Sequence, residues 1–447
     1  MMLKVNLAPP AHQQFDTGPF WQRITEFSGV AEAEFLSFAF QTKHSLANAS
    51  PAATRRLLEF LRGQAGAGFA ADVEAGLAKA PMNVQLTPYV LSLIDWQDPV
   101  SCPVRRQFLP LASAGLPDHP LVRLDSLGEQ ADTKAPGLVH RYFDKALFLP
   151  QGTCPVYCRF CTRSYAIGGD TEMVSKYRLD GTPKSWERAF AYLRATPQIE
   201  DVVISGGDSY NLHPRLIDVI AAQLLAIDHI RRIRIATKGL AVNPGRILTD
   251  LRWTEAVIRF VQRGRALGKQ VVIHTHVNSP EELTWVTRDA MRLLFAEGVL
   301  VRNQSVLLRG VNDSVERMAL LIKRLGFLQI QPYYVYQHDL VKGVEDLRTS
   351  LQTCLQIERG VRGVTAGFGT PQFIVDAPGG GGKRLASTYE LYDRETGVSL
   401  FRAPSVKPGV DFLYFDPLHS LTSEVAEQWR DPQWQKRFCD EAHERVA

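Results

Sequence analysis

Three cysteines, Cys154, Cys158 and Cys161, stand at C-x3-C-x2-C spacing directly after an apolar run at residues 146–150. Half of the six cysteines of the chain lie in this stretch. Thiolates bind the irons of iron–sulfur clusters, so three of them leave the fourth iron of a 4Fe–4S cluster open to another ligand. A structural zinc site is the alternative, but zinc takes four ligands and no nearby Cys or His has the usual spacing for the fourth. The motif therefore favours the cluster.

This spacing resembles that of the radical S-adenosylmethionine (SAM) superfamily, in which SAM chelates the open iron. The resemblance implies that the reduced cluster passes an electron to SAM, and that a 5′-deoxyadenosyl radical then takes a hydrogen from the substrate. The cysteine motif does not identify the substrate, so evidence for it has to come from the rest of the chain.

The composition is that of a globular protein. The chain has 447 residues and a net charge of +4, which gives no case for nucleic acid or a membrane surface as a partner. No apolar run approaches the length of a membrane span, and residues 1–6 are not followed by the apolar core of a signal peptide. With few cysteines, half of them in one motif, we expect a reducing cytoplasmic location without a disulfide framework.

Strands and helices alternate from about residue 136. The predicted strands are residues 145–149, 201–205, 233–237, 270–274, 299–308 and 329–336. The predicted helices are residues 186–194, 216–227, 254–267, 280–295 and 315–325. This alternation predicts an α/β fold with parallel strands and right-handed crossovers, and six units suit a partial (βα)6 TIM-like barrel, as in radical SAM proteins.

The chain divides into three predicted segments. Residues 1–135 form a mainly helical region, with helices at 30–47 and 52–63, an irregular connection at 95–120 and, at Cys102, a buried or incidental thiol in preference to a ligand. We interpret this region as a packing and oligomerisation layer. Residues 136–345 form the barrel, and residues 346–447 form a C-terminal extension with a docking tail.

Several polar residues follow predicted strands, where sites gather in parallel α/β folds. Ser205, Gly206, Gly207 and Asp208 end one strand, and glycines there let backbone amides approach a ligand, although a tight turn explains them equally well. His274 and His276 end another strand. We expect the two rings to face opposite ways, which excludes a shared metal.

A second informative stretch is Asp376 to Lys383, with four consecutive glycines before the lysine. Such a loop can hold a phosphate, and Lys383 could form a Schiff base with pyridoxal phosphate (PLP). Taken alone, a flexible turn with a solvated lysine is the better interpretation. The loop is not a P-loop, because Arg384 follows the lysine.

Taken together, these motifs resemble the lysine 2,3-aminomutase family, a group of radical SAM, PLP-dependent enzymes. The resemblance covers roughly residues 80–385. The segments that carry it are residues 140–142, 154–163, 205–208, 274–278, 303–312, 332–339 and 373–383.

The resemblance implies a role for each matching residue. Cys154, Cys158 and Cys161 would hold the 4Fe–4S cluster. The SAM pocket would be lined by Ser205, Gly206, Gly207, Asp208, His276 and Gln304. Lys383 would bind PLP covalently, with Arg141 as a phosphate partner. Arg163 would pair with the substrate carboxylate, and Asp339 and Asp376 with the side-chain ammonium of lysine, which needs compensating charge when buried.

The implied reaction moves the α-amino group of L-lysine to the β-carbon through a 5′-deoxyadenosyl radical. The same chemistry on arginine or another cationic amino acid is the alternative, as is a radical SAM-fold protein without aminomutase activity. The expected partners are an amino acid substrate and an electron donor such as flavodoxin or ferredoxin, and a homo-oligomer is left open.

Three positions depart from the family pattern. Ser314 replaces a cysteine that helps to bind an intersubunit zinc, and only Cys439 is present in the tail, so we expect no such zinc. Lys145 replaces an arginine, a point charge in place of a planar fork. Residues 235–239 replace a Gly-Ser-Arg segment at a strand end. These differences could tune the choice of substrate.

Overall fold

The N-terminal region of the computed structural model, which describes residues 10–446, is mainly helical. Its elements are α1 (Glu32–Phe35), α2 (Phe38–Lys43), β1 (Leu46–Ala47), α3 (Pro51–Leu77), β2 (Gln85–Leu86), α4 (Pro88–Leu93) and α5 (Pro103–Phe108). The helix predicted at 30–47 was wrong: Ser37 interrupts it, and its hydroxyl accepts a hydrogen bond from the Phe40 amide to cap α2. The helix predicted at 52–63 is confirmed as part of α3, which kinks at Gly66. The irregular connection at 95–120 contains α5.

A ten-stranded sheet forms the centre of the molecule, with strands adjacent in sequence also adjacent in the sheet. Its strands are β3 (Thr133–Ala135), β4 (Leu138–Tyr142), β5 (Lys145–Phe148), β6 (Asp201–Ile204), β7 (Arg232–Thr237), β8 (Gln270–Thr275), β9 (Val301–Val306), β10 (Ile330–Tyr336), β11 (Gln372–Ala377) and β12 (Gly382–Leu385). Strands β5 to β11 run parallel, whereas β3, β4 and β12 are antiparallel additions at the two ends.

Helices connect the parallel strands. They are α6 (Pro183–Ala195), α7 (Pro214–Leu225), α8 (Gly239–Val242), α9 (Gly245–Thr249), α10 (Leu251–Ala266), α11 (Trp285–Ala296), α12 (Val315–Phe327) and α13 (Leu351–Val361). Their apolar faces pack on the sheet; Trp186 of α6, for example, meets Phe148 of β5 edge to face at 5.7 Å. Full burial of such a side chain contributes about 2–3 kcal/mol.

The predicted α/β alternation is confirmed, with two differences. The helix predicted at 280–295 begins later, because Pro280–Glu282 forms a separate 3-10 turn and Thr284 caps α11. A seventh parallel strand, β11, was not predicted, because its last residues are also the first residues of the glycine loop.

The two ends of the sheet meet. The backbone amide of Lys383 in β12 donates to the hydroxyl of Tyr142 in β4 at 3.1 Å. Arg141 Nη1, also in β4, lies 3.9 Å from Asp376 Oδ1 in β11. The sheet therefore curves strongly enough to bring β4, near one end, into contact with β11 and β12 at the other end, around an interior space.

The C-terminal segment packs against this sheet. It contains β13 (Leu391–Tyr392), β14 (Val398–Ala403), β15 (Lys407–Phe415), α14 (Ser423–Gln428) and α15 (Pro432–Glu444). Strands β13 to β15 form an antiparallel sheet, and the Tyr414 hydroxyl of β15 donates to the His338 carbonyl after β10 at 2.8 Å. Arg348 and Glu345 form a fully buried ion pair, with 2.9 Å between Nη1 and Oε2.

One large hydrophobic cluster includes residues from all three predicted segments. The division at residues 135 and 345 therefore stays a prediction. Among the helices of residues 10–446, none combines the length and the apolar character needed to cross a bilayer.

Candidate active site

A cavity of about 590 Å³ occupies the interior of the curved sheet. It runs from Lys145 and Asp201, at the amino ends of two strands, to Ser205 and His276, at the carboxyl ends of two others. Of the predicted site residues, all except Gly206 line it: Cys154, Cys158, Cys161, Ser205, Gly207, Asp208, His276, Gln304, Arg141, Arg163, Asp339, Asp376 and Lys383. The fold thus brings the distant motifs of the sequence into one space.

The three cysteines lie on the long loop between β5 and α6, and neighbouring segments hold its backbone. Gln85 Nε2 donates to the Cys154 carbonyl at 2.7 Å. The guanidinium of Arg159, within the motif, donates to both carboxylate oxygens of Asp346 at 2.8 and 3.1 Å. These hydrogen bonds hold the loop through the Cys154 carbonyl and the Arg159 side chain. They use none of the three thiols, which line the cavity.

Burial raises the pKa of all three thiols, and that of Cys158 rises to about 12. At Cys154, the nearby Asp208 carboxylate raises the thiol pKa further, and the other two cysteines add a smaller increase. A thiol binds metal as the thiolate, so a bound metal must displace these protons. Within residues 10–446, no three His, Cys, Asp or Glu side chains converge on a single ion. In a 4Fe–4S cluster each thiolate binds a separate iron, and this all-thiol set fits that chemistry.

Two glycines after β6 allow the backbone to contact the cysteine loop. A Cβ atom at Gly206 would lie 2.3 Å from the Gln151 carbonyl oxygen, and one at Gly207 would lie 2.2 Å from that of Thr153. The amides of Gly207 and Asp208 donate to these two carbonyls at 2.6 and 2.8 Å. These two amides therefore join the turn to the cysteine loop, which agrees with the tight-turn interpretation, and contact of this segment with a ligand stays a prediction.

The Asp208 carboxylate is buried beside Ser205 at this turn. Its oxygens accept hydrogen bonds from the amides of Tyr210 at 2.8 Å and Lys238 at 2.7 Å. Burial raises its pKa, and these amides oppose the shift. The carboxylate thus fixes the ends of β6 and β7 relative to each other.

Both histidines of β8 and its end line the cavity, so the expectation that they face opposite ways was wrong. Residues i and i+2 of a strand share a face, and β8 continues to Thr275 before His276. The His276 ring stacks on Phe160 of the cysteine loop, with 5.7 Å between centroids. Burial lowers the pKa of His276 well below its usual value, with Lys238 acting in the same direction, so the ring is neutral at neutral pH.

Gln304 of β9 is held at both ends of its amide. Its Nε2 lies 2.9 Å from His274 Nδ1, and its Oε1 accepts from the Tyr336 hydroxyl at 3.1 Å. Burial lowers the pKa of His274 to about 3, so this ring is neutral too. Gln304 is therefore an oriented neutral residue in the middle of the cavity wall.

Lys383 enters the cavity from β12. Its Nζ donates to Asp376 Oδ2 at 3.1 Å and lies 5.6 Å from the ring centroids of Tyr142 and Tyr336. Burial lowers the pKa of Lys383, but Asp376 and the two phenols outweigh it and hold the pKa well above its usual value. A covalent bond to an aldehyde needs the neutral amine, so the ammonium must first lose a proton.

Of the two predicted substrate aspartates, Asp376 contacts this ammonium, and the charge of Lys383 also acts on Asp339. Asp376 is buried, and its Oδ1 has no hydrogen-bond partner within the described residues. Burial raises the pKa of Asp339 well above its usual value, and Asp376 adds to this. Arg141 Nη1 lies 3.9 Å from Asp376 Oδ1, which is too far for a hydrogen bond, so this oxygen can still accept one from a cationic or proton-donating group of a ligand. The amine, the aromatic rings and this oxygen together fit a PLP site with a cationic substrate.

Arg141 is more constrained than its predicted role as a phosphate partner implies. Its Nε donates to Asp132 at 2.8 Å and its Nη2 to the Leu127 carbonyl. With Nη1 near Asp376, the guanidinium joins the segment before β3 to β11.

The glycine loop lies between the sheet and the C-terminal segment. The amides of Gly379 and Gly381 donate to the carbonyls of Ser126 and Ala377 at 2.9 and 3.0 Å. A Cβ atom at Gly381 would lie 2.7 Å from the Phe412 ring of β15. These two amides are used within the protein, so the loop serves as a tight hairpin that aims Lys383.

Arg163 pairs with Glu129, a residue that was not predicted from the sequence. Nε and Nη2 of Arg163 donate to the two carboxylate oxygens of Glu129 at 2.8 and 2.7 Å. Glu129 stands in a polar loop 34 residues away, in no recognisable motif, so no sequence signal could have found it. Lys238 likewise pairs with Glu282 at 2.6 Å beside the cysteine end of the cavity.

The other departures from the family pattern have local partners. Ser314 caps α12 by accepting from the Arg317 amide at 3.3 Å, and Cys439 lies half-buried on α15. Lys145 pairs with Asp144 at 3.0 Å at the far end of the cavity.

Comparisons with known proteins agree with the motifs. No protein-family model matches the chain. It is 39% identical to L-lysine 2,3-aminomutase of Clostridium subterminale over 314 residues, which cover 70% of this chain and 71% of that protein. This chain belongs to the lysine 2,3-aminomutase family. L-lysine 2,3-aminomutase of Bacillus subtilis is 36% identical over 365 residues, covering 81% of the chain and 71% of that protein.

The family includes relatives named for different amino acids. Glutamate 2,3-aminomutase of Clostridioides difficile is 33% identical over 346 residues, covering 77% of each chain. The choice of substrate within the lysine 2,3-aminomutase family therefore has to be argued from the side chains of the cavity.

Proposed function

We propose that this chain is an isomerase that moves the α-amino group of L-lysine to the β-carbon. The observation that carries the proposal is that the three cysteines and Lys383 line the same cavity. The names of the relatives support the same conclusion, since most of those compared are L-lysine 2,3-aminomutases.

The proposed cofactors are a 4Fe–4S cluster, SAM and PLP. When bound, the first two supply a radical that abstracts hydrogen, and PLP supplies covalent attachment and electron delocalisation for the migrating nitrogen. Cys154, Cys158 and Cys161 would hold the cluster, and Lys383 would hold PLP. The SAM end would be lined by Ser205, Gly206, Gly207, Asp208, His276 and Gln304.

The remaining residues would bind and orient the substrate. Arg163 would bind the α-carboxylate and Arg141 would support the PLP phosphate. The carbonyl of Asp339 is hydrogen-bonded, but its carboxylate forms no hydrogen bond within the described residues, which leaves the carboxylate available to a side-chain ammonium, and Asp376 would share that cation. Two carboxylates at this end favour a cationic side chain and oppose the carboxylate of glutamate. Arginine would meet the same two charges and is the alternative.

The wider setting is also proposed. The curved parallel sheet would be the partial (βα)6 barrel of radical SAM proteins, with β3, β4, β11 and β12 added around it. A low-potential donor such as flavodoxin or ferredoxin would reduce the cluster in a reducing cytoplasm. Homo-oligomerisation would involve the N-terminal helical region.

The test is an anaerobic assay of the reconstituted protein with lysine, arginine and glutamate, with β-amino products identified by mass spectrometry. Lysine should give the highest kcat/KM. Replacing Asp339 with Asn should lower kcat/KM for lysine by about ten- to a hundredfold, because a hydrogen bond to a charged group is worth about 1.5–3 kcal/mol. Asp393→Asn, in a turn of the C-terminal segment, is the matched control. If glutamate or a neutral amino acid were the best substrate, Asp339 and Asp376 would not select a cationic side chain.

A further inference from the structure

Glu129 forms a bidentate ion pair with Arg163, the residue proposed to bind the substrate carboxylate. It accepts hydrogen bonds from Nε and Nη2 of Arg163 at 2.8 and 2.7 Å. The Glu129 side chain is 5% exposed and that of Arg163 is 20% exposed, so water screens the pair weakly. A bidentate contact of this kind fixes the plane of the guanidinium as well as its position.

The contact with Glu129 uses one edge of the Arg163 guanidinium and leaves the other edge without a hydrogen-bond partner at Nη1 among residues 10–446. The Nε–Nη2 edge faces Glu129, whereas Nη1 forms no hydrogen bond with any residue of the described chain. Arg163 and Glu129 both line the cavity. A guanidinium can bind carboxylates at two edges because its five N–H donors lie in one plane. The edge with Nη1 therefore has the geometry to bind a second carboxylate.

Other contacts prevent Glu129 from moving independently. The Tyr165 hydroxyl donates to Glu129 Oε2 at 3.1 Å. The Glu129 amide donates to Asp125 at 2.9 Å, and its carbonyl accepts from the Thr133 hydroxyl at 3.1 Å. The carboxylate is thus held from both its side chain and its backbone, before any ligand binds the arginine.

We propose that Glu129 is a positioning residue that holds Arg163 with its Nη1 edge toward the α-carboxylate of the amino acid substrate. The inference rests on the proposed function, because it takes Arg163 as the carboxylate-binding residue. Glu129 also compensates the buried charge of Arg163, which would otherwise be costly. The alternative is that Glu129 occupies the site of the substrate carboxylate and has to be displaced by it. In that case Glu129→Gln would lower the Kd for L-lysine instead of raising it.

The experiment compares Glu129→Gln with wild type by calorimetric titration of the PLP-loaded protein without SAM, so that no turnover occurs. The two ligands are L-lysine and 1,5-diaminopentane, which is lysine without its carboxylate. We expect the Kd for L-lysine to rise about tenfold in Glu129→Gln, because the guanidinium loses its charged partner, and the Kd for the diamine to stay within about twofold. The exposed Glu172 provides the matched control as Glu172→Gln, with both constants unchanged.

Each other outcome overturns the inference. Tighter lysine binding by Glu129→Gln would mean that Glu129 competes with the carboxylate. Equal weakening for both ligands would mean that the whole site is distorted. If wild-type protein bound L-lysine no more tightly than the diamine, Arg163 would not bind the substrate carboxylate.

A second variant covers the case in which Glu129→Gln does not fold. Tyr165→Phe removes one hydrogen bond to Glu129 and keeps the ion pair, and should raise the Kd for L-lysine by about two- to threefold without changing that for the diamine. An unchanged Kd for L-lysine would count against the inference. Because binding is measured without turnover, failure of the inference is distinguishable from failure of the proposed function, which would appear as wild-type protein that forms no β-amino product.

Discussion

The two ends of the cavity are built from opposite kinds of residue. The cysteine end, with Cys154, Cys158 and Cys161, presents three buried thiols whose raised pKa values keep them protonated. The lysine end, with Lys383, Asp376 and Arg141, presents charged groups in contact with one another. At the cysteine end the predicted ligands are neutral thiols, with ion pairs such as Lys238–Glu282 beside them, whereas at the lysine end the predicted ligand residues themselves form the ion pairs.

The difference indicates how each end accepts a ligand. At the cysteine end, a metal must displace protons, and the surrounding structure has only to hold the loop in place. At the lysine end, a ligand must replace interactions that already exist, so the cost of breaking an ion pair is part of every binding step. Substitutions at the two ends should therefore have separable effects.

The largest expected effects come from removing a ligand group at each end. Cys158→Ser should abolish cluster iron and lower turnover by about a thousandfold or more, because the serine oxygen is a poor iron ligand. PLP absorbance should be unchanged. Iron and sulfide analysis with the visible spectrum checks this, and Cys102→Ser, a buried thiol of the N-terminal region, is the control. Loss of PLP as well would show that the two ends are coupled.

Lys383→Ala is the complementary change. It should abolish the absorbance of covalently bound PLP and lower turnover by about a thousandfold or more, with iron content unchanged. Lys323→Ala, an exposed lysine on α12, is the control. Normal turnover by Lys383→Ala would contradict the assignment of this lysine to PLP.

Gly207→Ala should have an intermediate effect, because its Cβ would lie 2.2 Å from the Thr153 carbonyl oxygen. We expect a loss of about 2–3 kcal/mol in the free energy of unfolding and a reduced iron content, with PLP binding retained. Urea unfolding and iron analysis measure both. Gly68→Ala, in α3 with no neighbour within 4 Å of its Cβ position, is the control and should change stability by about 1 kcal/mol or less. Full iron content in Gly207→Ala would show that the turn does not support the cysteine loop.

The smallest effect concerns His274, which lies between the two ends. Its folded pKa of about 3 is below the unfolded value of 6.5, so between these values only the unfolded chain binds the proton. Acidification then lowers the free energy of unfolding, by about 2 kcal/mol from pH 6.5 to about pH 5. Urea unfolding should show that His274→Gln loses this share of the pH dependence. An identical pH dependence in wild type and variant would mean that the ring is not held neutral.

The sequence predicted the alternation of strands and helices well, because periodicity and local start signals such as Ser50 are short-range features. It failed at two places where a local rule was missed or misapplied. The helix predicted at 30–47 breaks at Ser37, whose hydroxyl caps a new helix instead of continuing the old one. The opposite orientation expected for His274 and His276 was an error of strand geometry, since alternate residues share a face.

The residues able to bind a cluster and a carbonyl cofactor were readable from the sequence, since the cysteine spacing and the glycine-flanked lysine are local patterns that chemistry itself requires. The tertiary structure decided which charges meet. The pairing of Arg163 with Glu129 and the meeting of β4 with β12 join residues far apart in the chain, and they depend on how strongly the sheet curves. No local pattern encodes that curvature, because it results from the packing of the whole sheet against its helices.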